Sequence, residues 1–220
     1  MPTATVEDYV KRLYLRQQKS ARKLVPVGQL ARDMNVVPGT ATTMVKALAD
    51  GGLVDYAPRS GVRLTRNGEQ LALHVLRRHR LVELFLVKVL GLDWSEVHGE
   101  AETLEHAISD KVLSAIDTLL GHPAVDPHGD PIPSAGGKLR PGSRMSLADC
   151  PIRRPMRVTR VLDQSPEFLR FVRSCGAMPG AVLRVTDREL IAGAIRISAE
   201  NARPVTLGIP AAEKILVEAQ

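Results

Sequence analysis

The stretch 121–146, GHPAVDPHGDPIPSAGGKLRPGSRMS, is so dense in proline and glycine that no regular element runs through it. It divides the chain into two textures. Before it, apolar residues recur at the three- and four-residue spacing of helices. After it come short β-prone runs separated by turns. A chain punctuated in this way folds as helical modules followed by a small β module, joined by a linker.

The helical part opens with residues 5–18, where Val6, Tyr9, Val10, Leu13 and Tyr14 share one helical face. Thr5 stands where an N-cap is expected, with Glu7 and Asp8 in the favoured first turn. A short helix, VGQLARDM, is followed by turn chemistry at Asn35–Gly39 and by a third helix, TATTMVKALADGG, which turns Met44, Val45 and Leu48 inward and stops at Gly51-Gly52. LVDYAPRSGVRLT reads as a hairpin around Pro58–Gly61. Helical spacing resumes from Arg66 to about Val89, then over Trp94–Ser109 and Asp110–Leu120. Leu81, Leu84, Phe85, Val112, Ile116 and Leu119 exceed the needs of one thin helical layer, which fits a helix–helix dimer interface and equally an ordinary core. Beyond the linker, MRVTRVL, AVLRVTD, AIRIS and EKILVEA form a barrel-like β module with one helix at Ser165–Cys175.

The fold class expected is mainly α with small β. A winged helix-turn-helix domain is expected over residues 1–65, a helical dimerisation and metal-binding domain over 66–134, a linker over 135–146 and a barrel-like β module over 147–220.

Charge is unevenly distributed along the 220 residues. Residues 1–80 hold 14 Lys and Arg against 6 Asp and Glu, and residues 81–220 hold 16 against 18. A basic first third points to a polyanion partner, although a solvated basic surface has the same composition. Cys150 and Cys175, the only two cysteines, lack metal-type spacing and read as small core residues in a reducing cytoplasm. No apolar leader and no run of about 18 apolar residues occurs, so a soluble, cytoplasmic protein without membrane contact is expected.

Two constellations carry chemistry. The N-terminal end of the third helix presents Pro38, Gly39, Thr40, Thr42 and Thr43, with Lys46 one turn on. Small hydroxyl side chains there suit close approach to a duplex DNA groove, while Arg59, Ser60 and Arg63 on the hairpin suit phosphates. Separately, ETLEH offers Glu102, Glu105 and His106 on one helical face, RRHRLVE offers His79 and Glu83 at i, i+4, His98 lies between them, and Asp8 sits in the first helix. Carboxylates and imidazoles from several helices are the donors that a first-row divalent metal takes, and a solvated acidic face has the same spacing. His74, His122 and His128 are assigned packing or turn roles and Trp94 a core role; no phosphate loop, catalytic triad or HExxH motif is present.

EDYVKRLY, the helix-turn-helix, GLVDYAPRSGVRLT, RRHRLVELFL, LGLDW, the LEH helix and HPAVDPHGDPIP together resemble the diphtheria toxin repressor family, its manganese-responsive members especially, nearly continuously over residues 4–134. The C-terminal module is similar to the SH3-like domain of three-domain members. The resemblance implies a homodimeric, metal-dependent DNA-binding repressor of metal-uptake genes that acts on a palindromic operator. It implies a primary metal site at Asp8, Glu102, Glu105 and His106 and an ancillary one at His79, Glu83 and His98, with Gln164 and Glu167 as the nearest matches for ligands from the C-terminal domain, in reversed acid/amide order. Iron-sensing relatives carry sulfur at the positions of Asp8 and Glu102. The carboxylates here are harder ligands and favour Mn2+, with Fe2+ the alternative. Where two-domain manganese sensors place a second carboxylate, this chain has Lys11.

Two rival functions share these residues. A metal-independent winged-helix regulator would take a small-molecule effector through the C-terminal module. A metallohydrolase would use the Glu and His side chains around a catalytic ion, but would leave the basic hairpin unexplained.

Overall fold

The computed structural model describes residues 2–19, 24–140, 142–199 and 204–220. The chain forms two compact units, Met1–His79 with Pro133–Lys138, and Arg80–Ile132 with Leu139–Gln220.

In the first unit, α1 (Ala4–Lys19) buries Tyr9, Val10, Leu13 and Tyr14, while Val6 is only half-buried. The helix starts one residue earlier than expected, because Thr3 rather than Thr5 supplies the cap: its Oγ1 accepts from Val6 N at 3.4 Å. α2 (Val27–Asp33) and α3 (Pro38–Asp50) are separated by a turn in which Asn35 takes φ 52°. Pro38 opens α3, where its missing N–H costs nothing. Ala41, Val45 and Leu48 face the core, Met44 lies at its margin, and Gly51-Gly52 closes the helix. β1 (Val54–Ala57) and β2 (Gly61–Leu64) pair antiparallel with Asp55 opposite Arg63. Val25 bridges to β2 as well, exchanging both backbone hydrogen bonds with Val62. The unit also takes in the start of α4 (Arg66–Lys88).

Within the second unit, α4 continues and is followed by α5 (Val97–Leu104) and α6 (Asp110–Leu119). Leu81, Leu84, Leu113, Ile116 and Ile132 form one apolar cluster, and Val82, Leu86, Val97 and Ala101 another. α5 is shorter than the expected 94–109 at both ends. Asp93 captures Ser95 N at 2.8 Å and Ser95 Oγ at 2.6 Å, which makes a turn of the residues before the helix. At the other end Ala107 N bonds Leu104 O three residues back, so Glu105 and His106 lie in a turn rather than on the helix.

The β module is a five-stranded antiparallel sheet in the order β6-β5-β4-β3-β7. Its strands are β3 (Met156–Val161), β4 (Val182–Glu189), β5 (Ala194–Ala199), β6 (Val205–Gly208) and β7 (Ile215–Ala219), with α7 (Pro166–Ser174) and a single turn, α8 (Ile209–Ala212). β6 was not anticipated; four residues between two prolines carry too little periodicity to read. The sheet's core includes Leu169, Val185, Ile197 and Ile215, both cysteines, and Trp94 from the helical segment. No helix among the described residues is long and apolar enough to cross a membrane.

Arg16 on α1 forms a two-pronged ion pair with Asp33 on α2, and Asp33 also accepts from Gln29. Burial pushes the Asp33 carboxyl up, but the Arg16 and Gln29 hydrogen bonds and the nearby arginine charges outweigh it and hold the group below its ordinary value. A depressed folded pKa gives stability that is present above the unfolded value of about 4 and lost as pH falls through the folded one. Urea denaturation of Asp33→Asn should therefore show a loss relative to the unsubstituted protein at pH 7 that shrinks towards pH 3; a loss independent of pH would remove the ionic explanation.

Candidate metal centre and nucleic-acid interface

The helix-turn-helix presents the side chains that the sequence nominated. Pro38, Gly39, Thr40, Thr43 and Lys46 are exposed and Thr42 is half-buried. Thr42 and Thr43 donate to the carbonyls of Pro38 and Gly39 at 2.8 and 3.1 Å, which fixes both hydroxyls and leaves their oxygen lone pairs outward as acceptors. Arg59, in the left-handed region at φ 67°, and Ser60 form the exposed tip of the hairpin. Arg63 meets Asp55 at 3.0 Å across the strands, with both side chains more than half exposed, a pairing too weak to hold Arg63 from a phosphate.

Metal-type donors lie in a strongly acidic segment. Residues 81–132 hold ten Asp and Glu against Lys88 and Lys111, a concentration hidden by the near balance of residues 81–220. Glu83, 1% exposed on α4, turns Oε1 towards His98 Nδ1 at 3.1 Å, and His98 Nε2 lies 3.6 Å from Glu102. His79 precedes Glu83 by one helical turn and is buried. Glu105 is fully buried beside His106, 3.3 Å away. Glu105 still has helical backbone angles and its N–H bonds Ala101 O at 2.9 Å, so it follows Glu102 by one helical turn at the C-terminal end of α5. Asp8, in the first unit, is half-buried on α1. Buried carboxylates need compensating positive charge, and neutral imidazoles beside them retain lone pairs. Such hard and borderline donors fit Mn2+ or Fe2+.

Gln164 donates to Asp130 Oδ2 at 2.5 Å, and Glu167 is exposed in the first turn of α7.

What the sequence did not disclose is the buried turn 126–130. Asp126 Oδ1 accepts from His128 N at 2.8 Å and Asp130 N at 2.9 Å. Arg80 lies 3.6 Å from both carboxylates, and Arg160 pairs with Asp130. Burial, aided by the charges of Asp130 and Glu83, pushes Asp126 up to about 7. His128 is fully buried: Nε2 donates to the Trp94 carbonyl at 2.8 Å, the ring stacks on Trp94, and Nδ1 lies 3.8 Å from Glu83 Oε2. Its expected turn role is real but incomplete. The one available signal was the density of carboxylates and histidine in HPAVDPHGDPIP.

Comparison with known proteins identifies the chain. Residues 1–62 match the "Iron dependent repressor, N-terminal DNA binding domain", 65–134 the "Iron dependent repressor, metal binding and dimerisation domain", and 145–219 the FeoA domain. A solved manganese-dependent transcriptional repressor in complex with manganese is 40% identical, with a TM-score of 0.85 over 98% of this chain and 100% of that one. The chain belongs to the diphtheria toxin repressor family. Further members of this repressor family include the iron-dependent repressor IdeR of Mycobacterium tuberculosis, 29% identical over 97% of this chain and 96% of its own length. An HTH-type transcriptional regulator of Methanocaldococcus jannaschii is 38% identical over 53% of this chain and 92% of its own length.

The family's winged hairpin depends here on one glycine. Gly61 has φ 138°, and a Cβ on it would come within 2.7 Å of the Val25 carbonyl oxygen. Gly61→Ala should cost about 1–3 kcal/mol in urea unfolding; unchanged stability would mean that the Val25–Val62 rung gives way freely.

Proposed function

We propose that this chain is a manganese-responsive repressor, a homodimer that binds a palindromic DNA operator when its metal sites are filled and lowers transcription of metal-uptake genes. Fe2+ is the alternative ion. The observation that carries this reading is the buried Glu83 carboxylate against His98, within a segment of ten acidic residues, in a chain whose first unit is a winged helix.

Residues 1–65 form the DNA-binding domain, 66–134 the metal-binding and dimerisation domain, 135–146 the linker and 147–220 the C-terminal module. Asp8, Glu102, Glu105 and His106 hold the primary ion, and His79, Glu83 and His98 the ancillary one. Gln164 and Glu167 are candidates to complete the ancillary set. When bound, the ion supplies the positive charge that holds these donors together. Asp8 is the one ligand on α1, so its engagement restrains that helix and with it the reading heads of the dimer. Pro38, Gly39, Thr40, Thr42, Thr43 and Lys46 enter the major groove, and Arg59, Ser60 and Arg63 meet the backbone. Metal and operator binding are then linked reciprocally: a coupling of about 1–3 kcal/mol changes operator affinity about 5–150-fold. The protein acts in the cytoplasm and catalyses no reaction.

Calorimetry with Mn2+, Fe2+ and Zn2+, followed by operator binding with and without each ion, tests the reading. Operator binding indifferent to all three ions would favour the small-molecule regulator, and turnover of ester or phosphate substrates the metallohydrolase. Asp8→Ala and His106→Ala should lose the metal-dependent gain in operator affinity while keeping the circular dichroism of the unsubstituted protein. Metal-stimulated binding that survives in both variants would remove the primary site. Lys46→Ala should weaken binding to all duplex sequences alike and reduce the slope of log K against log salt by about 1, as loss of one phosphate contact requires; a sequence-selective loss with the slope unchanged would assign Lys46 to a base instead.

A further inference from the structure

We propose that His128 is a positioning residue for Glu83, and that through it the C-terminal β module sets how tightly the ancillary site holds its ion. The inference rests on the reading of His79, Glu83 and His98 as a metal site. It does not depend on whether Gln164 or Glu167 also reaches the ion.

The two carboxylate oxygens of Glu83 face two different imidazoles. Oε1 lies 3.1 Å from half-exposed His98, and Oε2 lies 3.8 Å from wholly buried His128. His128 cannot rotate freely. A carbonyl only accepts, so Nε2 carries the hydrogen that binds Trp94 O, and Nδ1 packs without a hydrogen bond 3.8 Å from Glu83 Oε2 and 4.0 Å from Asp126 Oδ1. Ring centroids 5.6 Å apart and planes 27° apart keep the imidazole on the Trp94 indole, which is itself part of the β module's core.

The backbone that carries His128 is fixed from the sheet side. Its N–H donates to Asp126, and its carbonyl accepts from Val161 N on β3 at 2.9 Å. The next residue, Gly129, has φ 86° and lies so close to β3 that a Cβ would come within 1.9 Å of the Thr159 carbonyl oxygen. Asp130 then takes Gln164 and Arg160 from the same module. A continuous series of contacts thus runs from β3 through the turn and the imidazole to the carboxylate.

Glu83, Asp126 and His128 are close enough to suggest a further ion site, with donor atoms within 4.8 Å of one another. Arg80 already supplies a permanent cation 3.6 Å from Asp126 and Asp130, which meets the charge that an ion there would meet. Orientation of the neighbouring ligand is the role that remains. Groups that orient a metal ligand in this way typically change metal affinity about 10–100-fold when removed.

The test is Mn2+ calorimetry on the full chain, with His98→Ala identifying which bound equivalent is the ancillary one. His128→Phe keeps a ring for the Trp94 stack and offers no nitrogen to Glu83. It should weaken the ancillary equivalent about 10–100-fold and leave the other within about twofold. His128→Asn, whose amide places a polar atom near the position of Nδ1, should recover much of that loss. Gly129→Ala disturbs the turn from the β3 side without touching Glu83 and should weaken the same equivalent. Equal loss in both equivalents, or an unchanged ancillary affinity in His128→Phe and Gly129→Ala while their apo melting temperatures fall, would reduce His128 to a packing residue and overturn the inference. If no equivalent in the unsubstituted protein responds to His98→Ala, the ancillary site itself is wrong and this inference falls with it; the primary-site variants then show whether metal sensing survives.

Discussion

Carboxylates taken out of water need positive charge, and the second unit meets that demand in two chemically different ways. Asp126 and Asp130 are answered by Arg80, Arg160 and backbone N–H groups, and burial favours a proton on Asp126. A guanidinium does not give up its proton, so this arrangement is permanent and structural. Glu83 and Glu105 are instead set beside imidazoles. An imidazole is neutral or charged according to its surroundings, and in its neutral form keeps a lone pair for a metal. The same burial penalty therefore produces a fixed brace at the turn 126–130 and a carboxylate–imidazole cluster a few ångströms from it. Their meeting point is Glu83, with one oxygen turned to each.

Local chemistry made the reading head legible in the sequence. Asn35–Gly39 turns the chain, Pro38 opens a helix, Gly51-Gly52 closes it and Gly61 permits the hairpin, each for reasons contained within a few residues. The proposed metal donors stand out in the sequence as residue types at helical spacing, and their roles come from the family resemblance. Their geometry was not legible. Apolar periodicity continues through Trp94–Ser109, but Asp93 diverts its own backbone into a turn and the chain tightens after Leu104, so the regular helix is shorter at both ends than its spacing suggested. The 126–130 turn was hidden for a different reason. Gly129 takes φ 86° within the turn, but its second reason for being glycine, the carbonyl of Thr159, lies thirty residues later. Averaging concealed the charge pattern in the same way, because an acidic helical segment and a β-rich remainder with 14 Lys and Arg against 8 Asp and Glu over residues 133–220 nearly cancel.

These two hidden features bear on one question, the purpose of the third module. If it acted only by lending ligands, the reversed order of Gln164 and Glu167 would be a weakness in the site. Gln164, however, spends its amide on Asp130, at the end of the turn that carries His128, and Arg160 reaches the same carboxylate. Asp93 pairs with Arg173 of α7 beside Trp94, the residue on which His128 rests. The contacts from the module converge on the supports of one imidazole. A module joined to Glu83 through a buried ring and a glycine without room for a methyl group transmits small displacements better than a single long side chain reaching across solvent, because close-packed neighbours have few alternative positions. On this argument the β module's proposed influence on metal binding lies in the order of its packing, and it does not require that Gln164 or Glu167 reach the ion.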